Sequence, residues 1–259
     1  MLSNCLATTF FLACAFVQAH GNATPSPPTF PTRFSARIHE VEKQVGGGYK
    51  SVDCDLHWDA EKKMTAYRNC GKPLKPGGKG SQMQMVLRFN DTHNEGNSGT
   101  VYFVYGYGPA GNTCNFWCDL QGTEQCNLQE SLCQYDYVAH AKYNETISLN
   151  GTKANVFKWD DKLGPISMNS LTLNVNALHG AEPISMHRDV HPFGKELGTI
   201  DTYFSQWSPT PPDSSVFDVP GIDQCAEGQG AQCQNALLKF SPSFRVWNSN
   251  WKVEERVSS

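Results

Sequence analysis

Between Gly99 and Cys118 the chain reads Gly-Thr-Val-Tyr-Phe-Val-Tyr-Gly-Tyr-Gly-Pro-Ala-Gly-Asn-Thr-Cys-Asn-Phe-Trp-Cys. In an extended chain Val101, Phe103, Tyr105 and Tyr107 point to one side, and Tyr102 and Val104 to the other. Aromatic and β-branched residues on both sides of a period of two predict a central strand covered on both faces. Gly106, Gly108, Pro109 and Gly111 then turn the chain. Cys114 follows, the first of a cluster with Cys118, Cys126 and Cys133. The expected arrangement is a strand that delivers its end to a cross-linked loop.

The same alternation recurs along the chain. Phe34, Ala36 and Ile38 alternate with Arg33, Ser35, Arg37 and His39; Val52, Cys54, Leu56 and Trp58 alternate with Asp53, Asp55 and His57. Met64–Asn69 reads as the returning arm of a hairpin, and Met83, Met85, Leu87 and Phe89 form the next strand. Later strands are expected at Tyr135–Ala141, Val156–Trp159, Leu171–Ala177, Ile184–Met186 and Thr199–Trp207, with a short helix near Gln125–Leu132. No helical periodicity is sustained. Many short strands at regular spacing predict an antiparallel sandwich, a barrel or a strongly curved sheet.

The first nineteen residues carry no charge and hold the apolar run Leu6–Val17, so residues 1–19 read as a secretory signal peptide. The run is too short to span a membrane. Residues 20–32 form a Pro-rich leader, 33–240 a single β domain, and 241–259 a looser tail. Removing the signal takes Cys5 and Cys14 and leaves eight cysteines: Cys54, Cys70, Cys114, Cys118, Cys126, Cys133, Cys225 and Cys233. Their spacing matches no zinc ribbon, and an even number in an exported chain implies disulfides. Cys54 and Cys70 flank the hairpin, but eight thiols allow 105 pairings and spacing alone selects none. Sequons at Asn22, Asn90, Asn144 and Asn150 also fit a secreted, extracellular protein. A formal net charge of -4 without a basic block argues against nucleic acid.

Catalytic spacings are missing: there is no G-x-S-x-G elbow, no H-E-x-x-H helix and no dinucleotide fingerprint. Pro76–Ser81 lacks the glycine spacing of a phosphate loop and reads as an exposed turn. The chain is therefore read as a non-enzyme. His187 and His191 would share a strand face with Asp189 between them, which suits zinc or copper. Asp53 and Asp55 share another face and could contribute to a calcium site or an acid/base pair. For both groups the plainer reading is a solvated strand face.

Taken in order, the opening strand Phe34-Ser-Ala-Arg-Ile, the acidic strand Asp53–Asp59, the Tyr-rich strand running to Cys114, Trp159-Asp160, the Pro192-Phe193-Gly194 turn and Phe217-Asp-Val-Pro-Gly-Ile-Asp-Gln-Cys225 resemble the ependymin-related family of secreted glycoproteins. The resemblance spans residues 33–225. It implies a strongly curved antiparallel half-barrel like that of bacterial lipoprotein carriers, with one or two short helices in its concave face and a deep apolar pocket. It also implies disulfides, N-glycosylation, association with calcium, a homodimer, and a bond from Cys114 to Cys225. Met83, Met85, Phe103 and Tyr105 would line the pocket, and the ligand would be a hydrophobic small molecule or lipid. The cysteines at 118, 126 and 133 and the Cys54/Cys70 hairpin exceed the family pattern.

Two other classes compete. Trp58, Trp117, Trp159, Trp207, Trp247 and Trp251 could stack on sugars in a carbohydrate-binding or carbohydrate-active β protein. A purely adhesive surface protein would form no pocket at all.

Overall fold

A computed structural model of the chain describes residues 24–44, 46–71, 82–89, 99–106, 112–119, 141–163, 167–180, 182–192, 198–229 and 232–233. Twelve strands form one sheet: β1 (Arg33–Gln44), β2 (Tyr49–Asp59), β3 (Met64–Cys70), β4 (Gln82–Arg88), β5 (Thr100–Gly106), β6 (Asn112–Asp119), β7 (Lys142–Leu149), β8 (Thr152–Leu163), β9 (Ser167–Asn176), β10 (Pro183–Pro192), β11 (Gly198–Ser208) and β12 (Ala226–Glu227). Their order across the sheet is β12-β6-β5-β4-β3-β2-β1-β11-β10-β9-β8-β7. Two antiparallel meanders thus meet along the β1–β11 ladder, with Ile38 opposite Phe204 and Glu40 opposite Thr202. The sheet is open, strongly curved and antiparallel, apart from the two-residue parallel pairing of β12 with β6.

Local chemistry sets the turns. Asp59 accepts a hydrogen bond from the Lys62 amide at 2.9 Å, and Lys63 lies at φ 56°, so the β2–β3 turn is closed by its own side chain. Asn150 and Gly151 lie at φ 49° and 84°, as a two-residue hairpin joining β7 to β8 requires. A bulge in β3 after Tyr67, with Asn69 at φ 51°, turns Cys70 to the same face as Cys54. The two are bonded there.

The expectation for the stretch 99–118 holds for its first half. Val101, Tyr102, Phe103 and Val104 of β5 are all buried. One face of β5 belongs to a cluster with Phe34, Leu56, Met85 and Phe116; the other, Tyr102 and Val104, packs with Ala66, Val86, Phe217 and Val219. The second half differs from the expected loop, because Asn112–Asp119 continues the sheet as β6. Its polar residues Asn115 and Thr113 hid that strand: both are exposed, and only Cys114, Phe116 and Cys118 are buried. The regions of Tyr135–Ala139 and Gln125–Leu132 lie outside the described residues, as do the signal peptide, Cys126, Cys133, Asn22 and Asn90.

Residues 213–225 run as a strap over the outer face of β3 to β6, through two 3-10 turns at Ser214–Phe217 and Ile222–Gln224. These two 3-10 turns lie opposite the face carrying Phe103, whereas the helical residues Gln232 and Cys233 lie on its side, with Cys233 packed against the cluster of Phe103. Asp213 caps the first by accepting from the Ser215 amide at 2.8 Å. Three successive strap carbonyls are held by arginines of the sheet. Arg68 donates to Val216 and Asp218 at 2.7 and 2.6 Å, and Arg88 to Phe217 at 3.2 Å while lying 5.5 Å from the Tyr102 ring. Arg68 also bonds the Gln84 side chain.

The strap then rounds the edge of the sheet. Cys114, on the outer face of β6, is bonded to Cys225; the chain pairs alongside β6 at Ala226 and Glu227; Cys118, on the inner face, is bonded to Cys233. The passage is tight. A Cβ on Gly228 would lie 2.8 Å from both the Cys233 sulfur and Cδ2 of Phe116, so this position has room for glycine alone.

Candidate functional site

Alternation places most large apolar side chains of the sheet on one side, called here the inner face, and leaves Met64, Val86, Tyr102, Val104 and Trp117 on the other, in the cluster under the strap. The antiparallel register lines them up in rows across the strands. Phe34, Trp58, Thr65, Leu87 and Val101 form the first row, ending at Cys118. Ala36, Leu56, Tyr67, Met85, Phe103 and Phe116 form the second. Cys70, Met83 and Tyr105 continue a third beside Ile38 and Cys54. In the C-terminal meander Thr202, Met186, Leu173, Phe157 and Tyr143 carry the face outward to β7. Phe30 and Phe204 touch the clusters of both halves and make them one surface.

The four residues expected to line a pocket are brought together. Met83 stands opposite Tyr105 and Met85 opposite Phe103 on neighbouring strands. Met85 and Phe103 are fully buried, and Phe103 stacks on Phe116 with ring centroids 4.8 Å apart. Met83 and Tyr105 are half-buried, at the rim of the patch. Thioethers beside aromatic rings give a surface that adapts to different apolar shapes. No second sheet among the described residues packs on this face.

The inner face also carries polar groups that alternation alone would not single out. Glu40 is 3% exposed; it accepts from the Thr202 hydroxyl at 3.3 Å and lies 3.9 Å from a guanidinium nitrogen of Arg188. The signal was present in the sequence, since Glu40 continues the inward series Phe34, Ala36, Ile38.

The metal candidates lie on the opposite, outer face. Asp55 accepts from Arg37 at 2.7 Å and from Asn69 at 2.6 Å; Asp53 lies 2.9 Å from His39. Each carboxylate faces its own partner across β1, β2 and β3, which makes a ladder of charge pairs. His57 lies 2.9 Å from the Ser35 hydroxyl, and burial pushes its pKa below the ordinary histidine value. His187 sits between two carboxylates, 2.6 Å from Asp201 and 3.1 Å from Asp189, and Asp189 accepts from Ser170 at 2.7 Å. The His191 backbone pairs with Met168, and its side chain lies outside the described ones. Among the described residues no group of three His, Cys, Asp or Glu side chains is placed to hold a metal ion.

Partial burial of His187 opposes its charge, but hydrogen bonding and attraction from Asp201, then Asp189, outweigh this and raise its pKa. Folding therefore binds a proton more tightly here. The resulting stabilisation is fully present below the ordinary histidine value and is lost as pH rises through the raised one. It is expected to be under about 1 kcal/mol, because all three side chains are about one-third exposed and water screens the pair. Denaturation of His187→Gln and the unchanged protein at pH 5 and pH 9 checks this: the gap between them narrows at pH 9.

Tryptophans expected to offer sugar platforms are packed into clusters instead. Trp58 is buried; Trp207 lies 4.6 Å from the Phe34 ring; Trp117 and Trp159 pack against the outer and inner clusters. Trp247 and Trp251 lie outside the described residues.

No protein-family model matches the chain, and no curated protein matches it in sequence. Several solved structures are similar to it. A LolA superfamily protein from Nitrosomonas europaea shares 7% identity over 74% of this chain and 92% of that one, with a TM-score of 0.34. LprF from Mycobacterium bovis shares 13% identity over 70% and 89%, with a TM-score of 0.32. A DUF1329 family protein from Desulfovibrio piger shares 8% over 73% and 90%, with a TM-score of 0.29. At such scores the likeness decides nothing about ligand or descent. No helix among the described residues is long and apolar enough to cross a membrane.

Proposed function

We propose that this chain is a secreted, non-enzymatic glycoprotein that binds a hydrophobic, lipid-like ligand against the inner face of its curved sheet. The observation that carries the reading is the extent of that face: two apolar clusters reach from Tyr143 of β7 to Phe116 of β6 and are joined by Phe30 and Phe204 beside the buried Glu40–Thr202 pair, while the outer face of β1 and β2 is a ladder of charge pairs. Much of that face is buried within the chain itself, and the half-buried Met83 and Tyr105 at its rim leave apolar surface for a ligand to cover. Burying acyl methylenes there is favourable by about 0.8 kcal/mol each.

Export is supported by the three disulfides among the described residues and by the exposed positions of Asn144 and Asn150. The ependymin-related reading belongs here too, supported by the Cys114–Cys225 bond that the resemblance implies. Calcium association and homodimerisation come with that family reading; sedimentation with and without calcium tests both.

Protein purified from the medium of a secreting cell without detergent is expected to yield an acyl lipid on solvent extraction, near one equivalent by mass spectrometry. A delipidated sample is expected to take up a fluorescent fatty-acyl probe. A protein that yields no lipid and binds no such probe is not a carrier.

A further inference from the structure

At one end of the inner face two residues with buried, unpaired polar atoms are neighbours across the strands. Trp58 and Thr65 are directly opposed across β2 and β3, and each is only 4% exposed. Neither Nε1 of Trp58 nor Oγ1 of Thr65 has a hydrogen-bond partner among the described residues. Directly opposed residues of an antiparallel pair have Cβ atoms about 5 Å apart, so both groups can reach one small acceptor. Their neighbours in the row are Phe34 and Leu87, and the Phe89 ring lies 6.5 Å from Trp58. An indole N–H and a hydroxyl left unpaired in such surroundings are destabilising. Buried polar groups in folded proteins are otherwise almost always satisfied.

We infer that Trp58 and Thr65 together receive the polar end of the ligand, and that this end is a neutral carbonyl oxygen, as in an acyl ester. The inference rests on the carrier reading above and adds its chemical specificity. The indole can only donate, and the threonine hydroxyl can turn to donate. Two donors converging on one oxygen match the two lone pairs of a carbonyl. A carboxylate fits poorly. The two groups are uncharged, and the row that contains them holds no cation. The basic residues of β3 and β4, Arg68 and Arg88, are committed to the strap on the other face. A buried carboxylate without a cation would be strongly disfavoured. The hydrocarbon portion then lies along the apolar rows toward Met85 and Phe103.

The test uses the full chain, delipidated, and three sixteen-carbon probes: hexadecane, methyl palmitate and palmitate at pH 8. Binding is read by displacement of a bound fluorescent alkyl dye. Methyl palmitate is expected to bind about tenfold more tightly than hexadecane, and palmitate no more tightly than hexadecane. Trp58→Phe keeps an aromatic ring and removes the N–H; it is expected to erase the advantage of the ester while leaving hexadecane unchanged. Thr65→Val is expected to remove part of it. If wild type binds ester and hexadecane equally, or Trp58→Phe weakens both alike, the carbonyl assignment is overturned and the carrier reading stands. If no probe displaces the dye, or the dye itself does not bind, the carrier reading fails and takes this assignment with it. Circular dichroism of each variant separates loss of binding from loss of fold, and a misfolded Trp58→Phe leaves the wild-type comparison and Thr65→Val to decide.

Discussion

Replacing Cys114 and Cys225 together by serine is expected to lower the unfolding free energy by about 4–5 kcal/mol in the chain-entropy account of disulfides. The bond joins residues 111 apart in sequence, so its loss releases a long loop in the unfolded chain. Both cysteines must be changed, since a single replacement would leave a thiol free to exchange with its neighbours. The strap does not rely on the bond alone: Phe217 and Val219 are buried against β3 to β5, and Arg68 and Arg88 hold three of its carbonyls. Urea denaturation measures the loss. The matched Cys54→Ser/Cys70→Ser variant opens a loop of sequence separation 16 and is expected to cost less, about 3 kcal/mol. A larger effect at the hairpin than at the strap would show that native contacts, not loop closure, set the contribution.

Phe103→Ala is expected to cost about 3–5 kcal/mol. The side chain has no exposure, stacks on Phe116 and stands opposite Met85 in the middle row of the inner face. Its removal opens a cavity between rigid strands that cannot close around it. Denaturant unfolding gives the loss directly. A second readout connects this to binding. If the inner face holds acyl chains, added ligand fills part of the new space, so it raises the melting temperature of Phe103→Ala more than that of the unchanged protein. Equal shifts in the two proteins would place the ligand away from Phe103.

How legible these features were depends on which physical signal each leaves in sequence. The strand at Val101–Tyr105 announced itself because large apolar residues occupy both parities, and both sides are indeed covered. The half-buried strands β1 and β2 were equally plain, since polar and apolar residues alternate without interruption over Phe34–His39 and Val52–Trp58. β6 was hidden. Asn112, Thr113 and Asn115 are polar, and a bulge opposite Phe103 and Val104 breaks the alternation that would have revealed it. The hairpin at Asn150–Gly151 did carry a turn signal, but its strands are exposed along β7 and lack the apolar rhythm. The outer-face pairs of Asp53, Asp55 and His187 were visible as residue types only. Which partner each would meet is set by the strand order, and a sequence separation of 14 between His187 and Asp201 leaves no local mark.

The candidate site was legible to a similar degree. Period two paired Met83 with Met85 and Phe103 with Tyr105 along their own strands; that all four line one pocket is what the family resemblance implied, and the β4–β5 register makes them neighbours. Trp58 and Thr65 could not be recognised as a pair from sequence. Their meaning depends on two atoms that have no partner among the described residues, and that emerges only once the surrounding side chains are placed.

The double crossing of β6 by the C-terminal chain sets an order of events during biosynthesis. Cys118 waits for a partner 115 residues downstream. At translation speeds of about 5–20 residues per second, that delay is on the order of ten seconds. Throughout that interval the outermost strand of the N-terminal meander presents bare amides and carbonyls, and two reduced thiols, to everything else in the compartment. The nascent chain needs a chaperone or oxidoreductase most at this point, and β6 is the element on which such a helper would act.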